Sequence, residues 1–186
     1  MRKIIHDCDC TFGINGCDVD DGLALLYLLG DPEAEVLGVT TTYGNNVLEK
    51  VYPNTVKFLK DINRAEIPVF KGGAFAGDVE NEASYYLAKM AKEHAGELEL
   101  LVTGSVTNLY GAYKHNPDFF KQVKQIVLMG GITEPLIFAK KQMDELNFSC
   151  DPLATFTTLT SETEVAVITG NNCLKVLFTR EESNEN

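Results

Sequence analysis

Five aspartates crowd one short segment near the N-terminus: His6-Asp7-Cys8-Asp9-Cys10-Thr11-Phe12-Gly13-Ile14-Asn15-Gly16-Cys17-Asp18-Val19-Asp20-Asp21-Gly22. Between Lys3 and Lys50 the only basic side chain is His6. Carboxylates gathered in one loop repel each other unless some hold protons or a cation sits among them. Oxygen donors select a hard ion, Ca²⁺ or Mg²⁺, over zinc. Singly, each aspartate could equally be a solvated loop residue or a helix cap. As a set, flanked by Leu, Ile and Val on both sides, they read as a partly buried acid–base or cation site.

Asp7 and Asp9 stand two residues apart at the end of a β-branched run, so both can share one face. Asp20 and Asp21 fall in the first turn of a following helix, where the dipole favours negative charge. Gly13, Gly16 and Gly22 permit tight turns and close backbone approach. The segment is neither a Walker loop, lacking Gly-Lys-Ser/Thr, nor an EF-hand, lacking its ligand spacing and terminal Glu.

Three further polar segments stand beside it. Thr40-Thr41-Thr42-Tyr43-Gly44-Asn45-Asn46 offers an amide that can bind a hydroxyl or cap a helix. Val102-Thr103-Gly104-Ser105-Val106-Thr107-Asn108 can present the Thr103 carbonyl. Glu145-Leu146-Asn147-Phe148-Ser149-Cys150-Asp151-Pro152 sets two polar groups two residues apart before a helix that Asp151 would cap. His6, His94 and His115 show no metal-ligand spacing. Cys8-x-Cys10 alternates with the aspartates and is a weak candidate for a soft metal; no Cys-x-x-Cys redox pair exists.

The elements that must position these groups alternate. Strands are predicted over 2–7, 35–42, 67–70, 98–103, 124–129 and 164–169. Helices are predicted over 19–29, 46–62, 79–95, 105–115 and 151–160. For the first helix, Asp18 is the expected N-cap and Gly30 the stop; in the second, Pro53 should kink or restart the chain. This order implies an α/β fold with βαβ units, a mostly parallel sheet and helices on both faces. Such sheets bind ligands beyond the carboxyl ends of their strands, where all four polar segments fall. Residues 1–180 read as one domain, followed by a polar tail, 181–186.

Composition narrows the function classes. The 186 residues are 45% hydrophobic and 23% charged, ordinary for a globular domain. A formal net charge of -11 argues against nucleic acid or an anionic membrane as partner. No apolar run reaches transmembrane length. The N-terminus has basic residues but no apolar core of a signal peptide. Five cysteines, an odd number, suggest free thiols and a cytoplasmic setting.

The motifs together resemble the nucleoside hydrolase family, the inosine–uridine-preferring ribohydrolases. Asp7-Cys8-Asp9 and Asp20-Asp21, with Gly22-Leu23-Ala24-Leu25, are similar to its Asp-x-Asp-Pro-Gly-x-Asp-Asp opening. Val39-Thr40-Thr41-Thr42-Tyr43-Gly44-Asn45 resembles its second-strand signature. Thr103-Gly104-Ser105-Val106-Thr107-Asn108 resembles its Thr-Gly-x-x-Thr-Asn, and Ile126-Val127-Leu128-Met129-Gly130-Gly131 its Val-Leu-Met-Gly-Gly. Glu145-Leu146-Asn147 with Asp151-Pro152 resembles its Glu-Phe-Asn and Asp-Pro. The resemblance implies a Rossmann-like core and hydrolysis of a ribonucleoside to ribose and free base, in nucleoside salvage. It implies Ca²⁺, with Mg²⁺ the other choice, held by Asp9, Asp21 and the Thr103 carbonyl. Asp9 would be general base; Asp20 and Asn45 would lie near the ribose 2′-hydroxyl, Asn147 near the 3′ and Glu145 near the 5′. Asp7 would support the metal site.

Departures from the family pattern set further expectations. The loop between Asp9 and Asp20 is longer than usual, and Cys10-Thr11 replaces Pro-Gly. The stretch from Lys71 to Asn81 lacks the family's His-containing segment, and no clear Asn matches in 132–141. The chain reads as C-terminally truncated, without a further Asp ligand and His. This leaves an impaired hydrolase-like protein as an alternative, with exposed apolar surface that would favour a homo-oligomer. Asp7-x-Asp9-x-Thr11 also resembles the first motif of haloacid-dehalogenase-like phosphatases, with Asp7 as nucleophile; no matching late lysine and Asp-Asp pair follows.

Overall fold

A computed structural model describes residues 1–138, 140–174 and 176. Its centre is a six-stranded, all-parallel sheet in the order β3-β2-β1-β4-β5-β8. The strands are β1 (Arg2–Cys8), β2 (Ala34–Thr41), β3 (Val69–Phe70), β4 (Leu98–Val102), β5 (Gln125–Met129) and β8 (Glu164–Ile168). An antiparallel hairpin, β6 (Leu136–Phe138) with β7 (Lys141–Met143), stands apart from it. The order reverses direction between β1 and β4, and the crevice at such a switch point is where open parallel sheets bind ligands.

Pleating sends alternate residues of β1 to opposite faces. Ile5 joins Leu98, Leu100, Val102 and Ile126 beneath α3 (Glu82–Glu93) and α4 (Thr107–His115), which supply Leu87, Ala91, Leu109 and Ala112. Cys8 joins Val39 and Ile67 on the other face, under α1 (Asp20–Gly30) and α2 (Leu48–Asp61), with Leu25, Phe58 and Leu59. Burying a side chain such as Leu25 contributes roughly 1.5–3 kcal/mol, so two apolar faces hold the sheet from both sides. One buried charge, Glu99, is tolerated at its lower end because it is paired twice: it accepts from Arg2 at 2.8 Å and Lys124 at 2.7 Å.

Several local expectations are corrected. Asp18 does not cap α1: Val19 holds that position without a side-chain bond, and the Asp18 carbonyl instead accepts from Thr11 Oγ1 at 3.0 Å. Gly30 is the last helical residue rather than a stop beyond it. Tyr27 is 79% exposed, so α1 is buried on one side only. α2 runs through Pro53 without a break; proline forfeits one helical bond, and burial of Val51, Thr55, Phe58 and Leu59 keeps the helix on the sheet. β3 is two residues long, not four. Short helices α5 (Phe119–Gln122), α6 (Asn147–Cys150) and α8 (Gly170–Cys173) add to α7 (Pro152–Leu159), which Asp151 caps through Ala154 N–H at 3.1 Å. The polar tail 181–186 lies outside the described residues.

Candidate active site

Register sets the site's floor. Asp7 lies opposite Thr40 of β2 and Val102 of β4. Its Oδ2 accepts from Thr40 Oγ1 at 2.5 Å and from Asn108 Nδ2 at 2.8 Å. The same Asn108 amide donates to the Thr41 carbonyl at 3.0 Å and accepts from Gly73 N–H at 2.9 Å. One side chain thereby ties the ends of β1 and β2 to the loop before α3. Asp7 is fully buried and its Oδ1 has no partner among the described residues. Burial pushes its pKa up to about 7, although the bonds from Thr40 and Asn108 pull the other way.

Asp9 lies just beyond β1 and is wrapped by the turn after β2. Its Oδ2 accepts from Asn45 N–H at 2.5 Å, and Oδ1 from Asn45 Nδ2 at 3.4 Å. Glycine is required at position 44, because a Cβ there would stand 2.1 Å from Asp9 Oδ2. The loop after β4 closes in equally tightly: a Cβ on Gly104 would meet Thr42 Cγ2 at 2.7 Å and the Asp9 nitrogen at 3.0 Å.

Asp21, in the first turn of α1, faces Asp9 closely enough for each carboxyl to perturb the other. The Thr103 hydroxyl also donates to Asp21. Both acids are buried. Burial raises Asp9 to about 6 and, with the charge of Asp9 next, Asp21 well above the usual carboxylate range. Two like charges in contact do not both ionise readily.

Among the described residues, no positive side chain forms an ion pair with either. His6 Nε2 lies 2.9 Å from Thr103 Oγ1. Since that hydroxyl donates to Asp21, Nε2 must donate to it, which makes His6 the neutral Nε2–H tautomer. Burial agrees, lowering its pKa to about 4. A buried, uncompensated pair of carboxyls with hard oxygen donors fits a divalent cation. The Thr103 carbonyl, with two lone pairs, accepts from Asn147 Nδ2 at 2.8 Å.

The remaining sequence candidates ring this pair. Asp20 is exposed at the start of α1. Asn147 is buried and also donates to the Met129 carbonyl at 3.0 Å. Glu145 accepts from Gly131 N–H at 3.0 Å, Phe148 N–H at 2.9 Å, and Ser149 N–H and Oγ at 2.7 Å each. Burial opposes its ionisation, but these donors outweigh it and hold the carboxyl below its usual range. Four donors fill a carboxylate's capacity, so in this conformation Glu145 braces the turn that carries Asn147.

The sequence profile of the inosine-uridine preferring nucleoside hydrolases matches residues 4–186. The chain belongs to this family. The inosine-uridine preferring nucleoside hydrolase of Leishmania major is 31% identical over 160 residues, covering 70% of this chain and 48% of that protein. Probable uridine nucleosidase 1 of Oryza sativa subsp. japonica is 26% identical over 195 residues, covering 88% and 59%. The solved purine-preferring ribonucleoside hydrolase from Gardnerella vaginalis superposes with a TM-score of 0.84 at 29% identity, over 99% of this chain and 66% of that one. The chain thus spans about half the length of the curated relatives it matches.

Within this nucleoside hydrolase fold, Asp7, Asp9, Asp21, Asn45, Thr103 and Asn147 converge at the switch point, while Glu145 stands behind Asn147 and Asp20 at the edge. The haloacid-dehalogenase-like reading has no geometric support, because Asp7 is sealed under Thr40 and Asn108 and cannot serve as an exposed nucleophile. Sequence reasoning assigned no role to His6, Thr40 or Asn108. Period-two register in β1, and the Asn closing the Thr-Gly-x-x-Thr-Asn motif, were the available signals.

Proposed function

We propose that this chain hydrolyses the N-glycosidic bond of a ribonucleoside, releasing a free base for salvage, and that residues 1–180 act as one domain in doing so. The observation that carries this reading is the buried Asp9–Asp21 pair at the switch point of the sheet. Asp9 and Asp21, with the Thr103 carbonyl, would hold Ca²⁺ or Mg²⁺. Such an ion would favour ionisation of both carboxyls and lower the pKa of nearby water.

Asp9 is the general base. Asn45 holds its carboxylate in place, through N–H to Oδ2 and Nδ2 to Oδ1. A general base must be ionised before it takes a proton, and a bound cation would keep Asp9 ionised against its burial. Departure of the base leaves oxocarbenium character on the sugar, which the negative charge of Asp9, Asp20 and Asp21 stabilises. Asn45 and Asp20 suit the 2′-hydroxyl and Asn147 the 3′. Glu145 reaches a 5′-hydroxyl only by exchanging one of its present donors. The relatives' names span uridine and purine substrates, so no base preference follows. Exposed Leu153, Phe156 and Ile137 favour association of copies.

The test is base release from a panel of ribonucleosides in Ca²⁺. Asp9→Asn should lower the rate by about 100-fold or more. Undiminished release in that variant, or absence of release from every ribonucleoside by folded, Ca²⁺-loaded protein, overturns the reading.

A further inference from the structure

We propose that His6, Cys8 and Asp21 form a second, softer metal site, one that takes a borderline transition ion such as Zn²⁺ or Co²⁺. The site goes beyond the hydrolase reading, which uses neither His6 nor Cys8. The pleat of β1 places His6 and Cys8 on one face, two residues apart, and α1 lays Asp21 over that face. One ligand atom from each lies within 4.8 Å of the others. All three residues are buried, at 0%, 0% and 2% exposure.

The donor chemistry decides which ion fits. An imidazole nitrogen, a thiolate and a carboxylate together match zinc and cobalt, whereas calcium and magnesium take oxygen. The imidazole is already prepared. Thr103 fixes the Nε2–H tautomer, which leaves Nδ1 with a free lone pair, and Nδ1 has no partner among the described residues despite full burial. A buried polar atom without a partner is costly, and bonding of a ligating imidazole through its other nitrogen is the usual way a metal site orients it. On binding, the ion replaces the Cys8 thiol proton, which leaves to solvent.

Asp21 belongs to both donor sets. Because Asp21 serves both sets, binding of the soft ion is coupled to binding of the hard one.

The chain stripped with a chelator and titrated with Co²⁺ tests this without reference to nucleoside turnover. One equivalent should produce a thiolate-to-cobalt charge-transfer band in the near ultraviolet. Cys8→Ser should abolish the band, while Cys17→Ser and Cys150→Ser, at less buried thiols, should retain it. No band from folded protein, or a band of full intensity in Cys8→Ser, overturns the proposal. X-ray absorption of the unmutated, Zn²⁺-loaded chain gives an answer that does not depend on the variant folding. One sulfur near ~2.3 Å with nitrogen and oxygen near ~2.0 Å supports the site, and a shell of oxygen and nitrogen alone overturns it.

Discussion

Asn147 Nδ2 donates to the Thr103 carbonyl at 2.8 Å and so joins the turn after the β6–β7 hairpin to the end of β4. A second bond from the same nitrogen, to the Met129 carbonyl at 3.0 Å, brings in the end of β5. Three segments far apart in sequence thus meet through one amide. Asn147→Ala should cost about 1–3 kcal/mol, since two half-buried carbonyls lose a donor. Urea unfolding measures it; a variant as stable as the native chain would show that these bonds contribute nothing.

Glu145 controls whether that amide stays in place. Its carboxylate accepts from Gly131, Phe148 and Ser149 N–H groups. Glu145→Ala should therefore speed hydrogen exchange at those three amides by an order of magnitude or more, since an intramolecular bond is worth roughly 1–3 kcal/mol when its acceptor is charged. Amides of β1 should be unaffected. Unchanged exchange at Phe148 and Ser149 would mean that Glu145 is free to reach substrate rather than brace the turn.

The pKa shifts set a pH dependence for the metal-free protein. Asp7 is raised to about 7 and Asp9 to about 6, whereas unfolded carboxyls titrate near ~4. A raised acid pKa means that the folded state binds the proton more tightly, so stability falls as pH rises through the folded value. His6 acts oppositely: lowered to about 4, it costs stability as pH falls below the unfolded histidine value near ~6.5. Between pH ~8 and ~6.5 the carboxyls outweigh the unfolded histidine, which is only beginning to take its proton. The melting temperature in chelator should rise as pH falls across that window, and Asp7→Asn should flatten the rise. A native profile that is level or falls with acidification there would contradict these shifts.

Much of this arrangement is legible in the sequence. Alternating strands and helices are recoverable because the strands are short apolar runs bounded by polar turns, and the carboxyl-end rule then selects the right loops. Asp151 is recoverable as a cap because Pro152 follows it in the first turn. The hairpin at 136–143 is hidden because Ile137 and Phe138 are exposed, so no inward pattern marks it. Asp18 misleads because capping needs a side chain turned back to the helix, and the Thr11 bond orients that loop differently. The roles of His6 and Asn108 depend on register between β1, β2 and β4, which one strand's sequence does not contain.

A hard cation should stabilise the fold through Asp9 and Asp21, and this tests the centre of the site. Without it, two buried carboxyls face each other uncompensated, and burial raises both, Asp9 to about 6 and Asp21 well above the usual carboxylate range. A cation that binds only the folded chain adds about 2.7 kcal/mol at a hundredfold excess over its Kd, enough for a melting shift of roughly 5–11 °C in a domain of this size. The effect should be larger at pH ~8 than at ~6, because protons compete for the same oxygens. Asp9→Ala and Asp21→Ala should abolish the Ca²⁺ shift, while Asp31→Ala, whose carboxylate accepts from Glu33 N–H at 2.8 Å outside the cluster, should keep it. The same variants should lose the Mg²⁺ effect. Asp21→Ala melting with a native-sized Ca²⁺ shift would place the cation elsewhere. No shift in the native chain at saturating Ca²⁺ or Mg²⁺ would mean that Asp9 and Asp21 hold a proton rather than a metal.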